Sequence, residues 1–176
     1  MRPGEEDARA LLVTGSVGVG KTTVTDAIGE VLAERGVPGA ALDLDWLRRG
    51  WPAPPEDRFN NRLELANLRA VSRVHREAGA RVIVAAGVLE GREDRPLYEA
   101  AFGCPLTVVR LTAPREVVRS RLRRRHEGDP EGLAWHLGRF DELTQILDAA
   151  AVQDAMVPIR HDPPATARAV LAAVGL

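Results

Sequence analysis

Gly15-Ser16-Val17-Gly18-Val19-Gly20-Lys21-Thr22 fits the pattern G-x-x-x-x-G-K-[ST], a glycine-rich turn whose backbone N–H groups cradle phosphates. Lys21 is the only lysine among 24 basic residues; the rest are arginine. A slender ammonium reaches between phosphates where the wide planar fork of arginine fits less well. The flanks match the motif. Leu11, Leu12 and Val13 form a short apolar run before the turn, as a buried strand does. Val24, Ile28, Val31 and Leu32 then recur on one helical face, and Gly36 is placed to end that helix as its C′ residue. The loop from Gly15 to Gly20 supplies N–H groups, and the helix start adds the positive end of its dipole. In this pattern Lys21 neutralises the β- and γ-phosphates, and the Thr22 hydroxyl takes one place around Mg²⁺. Thr23 adjoins it and is counted with the nucleotide-binding loop.

Working outward, the chain of 176 residues reads as one domain, with 45% hydrophobic and 28% charged residues. A net charge of −1 gives no global attraction to nucleic acid or anionic membrane. No apolar run approaches the ~20 residues that span a bilayer. Met1–Ala10 is polar and acidic, unlike a signal peptide, and the one cysteine, Cys104, excludes an internal disulfide. A cytoplasmic protein is expected, with Cys104 as a packing residue. The four histidines are scattered without metal-ligand spacing.

Strands are predicted at 10–14, 40–44, 81–86, 106–111 and 156–159. Helices are predicted at 21–35, 57–78, 92–101, 115–125, 133–151 and 165–174. On the second helix, Phe59, Leu63, Ala66, Ala70, Val71 and Val74 repeat near 3.6 and are expected to face the core. Alternating strands and helices imply an α/β fold with a mostly parallel sheet covered on both faces, and ligands outside the carboxyl ends of its strands.

The second strand runs out as Asp43-Leu44-Asp45-Trp46-Leu47-Arg48. Its two carboxylates share one side if the backbone stays extended. Asp45 is placed to accept a substrate hydroxyl proton, and Asp43 to hold a Mg²⁺-bound water. The plain alternative is that one of the pair, Asp45 by position, caps the short helix that follows. The third strand ends Ala85-Ala86-Gly87 without an acid, which shifts weight onto Asp43 and Asp45. Trp46 and Trp51 flank this region as candidates for substrate stacking or for packing.

Seven arginines lie between Arg110 and Arg125. Arg121 and Arg125 share a helical face and are candidates for stabilising charge on a transferring phosphoryl group; Arg124 is a candidate for the polyphosphate. For any one of them a solvated surface role remains open.

At these residues the first half, from about Leu11 to Val88, resembles adenylylsulfate kinase. Leu42-Asp43-Leu44-Asp45-Trp46-Leu47-Arg48 matches that family's L-D-G-D-N-x-R, with Leu44 in place of the glycine, and Asp57-Arg58 with Asn61 matches its D-R-x-x-N. The resemblance implies that Asp45 lies near the acceptor hydroxyl and that Arg48, Arg58 and Asn61 hold the acceptor; Asp43 is counted with these substrate-binding residues as well as with the metal. The family's R-D-x-K-G-L-Y and F-T-G segments are absent. The second half looks more like gluconate and shikimate kinases, and length and layout are similar to chloramphenicol phosphotransferase. These resemblances imply a three-layer P-loop fold with strand order 2-3-1-4-5 and a small helical lid at about residues 119–135. The function expected is ATP- and Mg²⁺-dependent transfer of the γ-phosphoryl group to a small-molecule hydroxyl, by a monomer or homodimer. The alternatives are a nucleotide-binding regulatory ATPase acting through a protein partner, and a polynucleotide 5′-hydroxyl kinase.

Overall fold

The computed structural model describes residues 8–176; the polar run Met1–Asp7, included above in the expected domain and leader reading, lies outside them. Five strands form one parallel sheet in the order β2-β3-β1-β4-β5. They are β1 (Arg9–Thr14), β2 (Gly39–Asp43), β3 (Val82–Ala86), β4 (Leu106–Thr112) and β5 (Ala155–Pro158). This is the strand order expected from the resemblance. Register is set across the sheet centre, with Val13 opposite Ala86 on one side and Val109 on the other, and Asp43 opposite Ala86.

Alternation along β1 divides the core. Leu11 and Val13 point to one face and pack with Val24, Ile28 and Val31 of α1 (Lys21–Glu34) and Val170 and Leu171 of α7 (Pro163–Ala173). Ala10 and Leu12 point to the other, against Leu68 of α3 (Asn61–Glu77) and Ala101 and Phe102 of α4 (Arg95–Phe102). Both sheet faces are therefore dry, which explains the continuous apolar runs. Each fully buried Leu or Val contributes roughly 1.5–3 kcal/mol. A third cluster joins α5 (Arg115–Arg125) to α6 (Pro130–Ala150) through Val118, Leu122 and Phe140. No helix of the described residues is long and apolar enough to cross a membrane.

Most element boundaries differ from expectation by one to four residues, α4 for example starting at Arg95 rather than Arg92, and two helix starts have a visible local reason. Asp129 accepts the Gly132 N–H at 2.9 Å and caps α6, so that helix starts at Pro130 rather than Leu133. Asp57 does not begin α3. Its carboxylate accepts the N–H groups of Asn61 (2.7 Å) and Arg62 (2.9 Å), while Asn60 takes the left-handed φ of 54° ahead of the first turn. Asn60 also donates to the carbonyls of Arg48 (3.0 Å) and Gly50 (2.8 Å), tying the long loop after β2 to α3.

The buried face of α3 is a correction. Phe59 precedes the helix, and Phe59, Leu63 and Val74 are exposed; the inward face carries Glu64, Leu68 and Ser72. Apolar periodicity pointed elsewhere because the core-facing position nearest the site is a carboxylate. Glu64 is fully buried, pairs with the Arg48 guanidinium, and accepts a 2.6 Å hydrogen bond from the Tyr98 hydroxyl. Burial raises the Glu64 carboxyl above its usual range, opposed by Tyr98 and Arg48. Burial and the carboxylate together push the Tyr98 hydroxyl up, so it remains the donor. Removing that donor orphans a buried oxygen. Tyr98→Phe is expected to lower unfolding free energy by about 1–3 kcal/mol in urea titration.

Leu44, at the position of the expected glycine, is fully buried over Gly87. A Cβ at Gly87 would fall on Leu44 Cδ1 and stand 2.9 Å from its Cγ. Gly87→Ala is expected to cost about 1–3 kcal/mol by the same titration, through overpacking of β3 against the β2 exit.

Candidate active site

Because all five strands are parallel, the loops after them open on one edge of the sheet. They surround a cavity of about 800 Å³. Its floor is the loop between β1 and α1. Gly18 there has φ 78°, and a Cβ on it would stand 3.1 Å from side-chain atoms of both Val118 and Leu122. Glycine thus serves twice: it permits the left-handed turn and lets α5 lie directly over the loop.

Lys21 closes the loop on itself. Its Nζ donates to the carbonyls of Gly15 (3.0 Å) and Ser16 (3.2 Å), leaving one N–H of three uncommitted. The amides of Gly18, Gly20 and Lys21 have no hydrogen-bond partner among the described residues. Unmatched amides around an ammonium at a helix start form a strong anion cradle. Burial depresses the Lys21 pKa to about 8, opposed by the charges of Asp45 and Asp43.

The two aspartates divide their work. Asp43, not Asp45, is the helix cap: its Oδ1 accepts the Asp45 N–H at 2.9 Å, and α2 (Leu44–Leu47) begins between them. Its Oδ2 accepts the Thr22 hydroxyl at 2.8 Å. The pair therefore does not project from one extended strand, because the chain turns helical at Leu44. Asp45 lines the cavity directly, whereas Asp43 meets it through Thr22. Two hard oxygen ligands, Thr22 Oγ1 and Asp43 Oδ2, form a donor set suited to a small divalent cation that retains most of its water.

Of the expected loop residues, Val17, Gly18, Val19, Gly20, Lys21, Thr22 and Thr23 line the cavity; Gly15 and Ser16 contribute their carbonyls to Lys21. Arg48 and Asn61 also line it. Arg58 does not: it is exposed, with its guanidinium 5.1 Å from the Phe59 ring, because α3 starts after the residue and leaves it outside. Trp46 and Trp51 do not line the cavity and are 67% and 87% exposed; the Arg49 guanidinium lies 4.4 Å from the Trp46 ring.

The arginine group separates by contact. Arg110 pairs with Asp148 at 2.8 Å, Arg115 with Asp141, and Arg119 approaches Glu116. Arg121, Arg124 and Arg125 line the cavity, and Arg121 donates to the Val19 carbonyl at 2.9 Å. Sequence reading missed the residues contributed from far along the chain: Glu64, which pairs with Arg48, and Tyr98, which donates to Glu64; Glu90, Asp94 and Arg139 on one wall; and Arg160 and His161 after β5. The position of Arg160 and His161 just past a strand end was the available signal for that last pair.

Similar architectures occur in solved structures. The tunicamycin resistance protein of Deinococcus radiodurans aligns over 96% of each chain at 22% identity, TM-score 0.66. A gluconokinase from Sinorhizobium meliloti aligns over 97% of this chain and 93% of its own, at 20% identity and TM-score 0.62. The Mycobacterium tuberculosis APS kinase, solved in complex with AMPPNP and APS, aligns over 97% and 99% at 20% identity, TM-score 0.56. Likenesses at this identity establish the fold alone, a three-layer P-loop architecture with a parallel five-stranded sheet. No curated protein matches the sequence significantly. The AAA domain family AAA_33 matches residues 11–149, most of the chain, and the chain belongs to that family.

Proposed function

We propose that this protein is an ATP-dependent kinase that transfers the γ-phosphoryl group to a hydroxyl of a small molecule. The carrying observation is that one cavity joins the anion cradle at Lys21 to the carboxylate of Asp45, with space beyond it walled by residues after β2 and β3. The similar folds of a gluconokinase and an APS kinase support the same reading. A regulatory ATPase needs no cavity beside Asp45. A polynucleotide kinase needs a continuous basic groove, whereas Asp45, Glu90 and Asp94 make this wall acidic.

In this mechanism the loop amides and Lys21 hold the polyphosphate, and Arg121, Arg124 and Arg125 come from α5 to offset its charge. We assign residues 119–135 as the lid of a single domain spanning 1–176. Mg²⁺, when bound, neutralises developing negative charge on the phosphates; Thr22 and Asp43 are its protein oxygens. Asp45 accepts the acceptor's hydroxyl proton as that oxygen bonds to phosphorus and the bond to the ADP oxygen breaks. Phosphoryl transfer has a loose transition state, so Lys21 and charge neutralisation contribute more than Asp45.

Lys21→Met is expected to abolish turnover and weaken ATP binding. Asp45→Asn should slow turnover about 10²–10⁴-fold while ATP affinity by calorimetry stays close to wild type. Equal loss of ATP affinity in both variants would remove the separate roles.

The Lys21 pKa of about 8 gives a pH dependence. Phosphate favours the charged ammonium, so its pKa rises on binding. Nucleotide affinity should fall as pH rises past about 8, with proton uptake on binding above that pH. Calorimetry in two buffers of different ionisation enthalpy measures the uptake; flat affinity to pH 9.5 would contradict a depressed lysine.

A further inference from the structure

The strand order separates the two ends of the cavity. Arg160 follows β5, and Arg121, Arg124 and Arg125 lie on α5 after β4, on one side of the β1 loop. Asp45, Arg48, Glu90 and Asp94 follow β2 and β3, on the other. Arg139 of α6 joins this second side by pairing with Glu90.

On the β2–β3 side both guanidiniums already stand against carboxylates, although the buried Arg48 Nε has no hydrogen-bond partner among the described residues. Arg48 pairs with the fully buried Glu64, whose other oxygen is held by Tyr98, and its Nε lies 3.7 Å from Asp45. Arg139 pairs with Glu90 and, at 2.9 Å, with Glu142, while its guanidinium lies 5.8 Å from the Phe59 ring. Arg58, the third cation expected there, is outside the cavity. Asp94 lines the wall with no ion pair among the described residues, and burial with Glu93 and Glu90 raises its carboxyl above the usual range. Five carboxylates, of Asp45, Glu64, Glu90, Asp94 and Glu142, thus stand around two guanidiniums. An anionic ligand at either guanidinium would compete with Glu64 or Glu90 for the cation and would meet the uncompensated negative charge of Asp45 and Asp94 on the same wall. Phe59, Val88, Trp135 and Leu143 give the cavity an apolar lining that tolerates a ring or hydrocarbon body.

We propose that the acceptor is a hydroxyl compound without a carboxylate, sulfate or phosphate group, and that the Arg48–Glu64 and Arg139–Glu90 pairs enforce this selection. The assignment rests on the kinase reading for the word acceptor, but the charge selectivity stands as a property of the cavity wall.

Matched pairs of probes test it: shikimate against its methyl ester, and gluconate against gluconamide. Binding to the ADP- and Mg²⁺-saturated protein is measured by calorimetry, and turnover by ADP release from ATP. The uncharged member of each pair should bind or react at least about tenfold better than the acid. Glu90→Gln, which releases one edge of Arg139, should shift the affinity ratio of each pair about tenfold toward the acid. Asp94→Asn should move the ratio in the same direction by a smaller factor. Thermal melting of each variant checks that it is folded. Tighter binding of the acids by wild-type protein overturns the proposal, as does a folded Glu90→Gln variant whose ratio does not shift toward them. Selective binding without any phosphorylated product would end the kinase reading and leave the selectivity intact.

Discussion

An ammonium enclosed by its own loop governs this structure. Among the described residues Lys21 Nζ has only the carbonyls of Gly15 and Ser16 as direct partners, with Asp43 and Asp45 farther away. Its charge is incompletely compensated, as the depressed pKa records. The same turn leaves backbone amides unmatched and starts α1 with its positive end at the sheet edge. A polyphosphate resolves all of these deficits together. The hydrogen bond from Thr22 to Asp43 then fixes how the start of α1 meets the exit of β2.

A second constraint is the buried carboxylate of Glu64. A charge at that depth persists only when paired and hydrogen-bonded, and Arg48 and Tyr98 supply those contacts. The arrangement links three elements distant in sequence: the α2 turn, α3 and α4. It orients Arg48 toward the cavity while consuming its charge. A basic residue in a ligand site is therefore not automatically a receptor for anions; what it is already paired with decides.

The arginine-rich segment around α5 follows a comparable rule. Seven arginines in a short segment look equivalent in one dimension. In three, Arg110, Arg115 and Arg119 face carboxylates, while Arg121, Arg124 and Arg125 turn toward the phosphate loop. Val118 and Leu122 impose this division, because their burial against the loop and Phe140 sets the rotation of α5.

The fold class was legible in the chain itself, because its signals are local. Glycines, one lysine and a threonine at fixed spacing demand a strand–turn–helix, and both-face burial writes each strand as an apolar run. The strand order came from family resemblance, since periodicity carries no information on which strands are neighbours. The cavity floor was readable for the same local reason, while the walls were not. Glu64 drew no notice in the chain, because the apolar repeat of its helix points elsewhere, and the capping role weighed as the alternative for Asp45 falls to Asp43. Sequence by itself determined the parallel α/β scaffold and the phosphate cradle, where all the needed atoms lie within a few residues. Tertiary structure alone decided the pairing of Arg48, the exclusion of Arg58, and the acidic wall after β3, because these depend on which side chains meet across distant segments and on how much water remains around them.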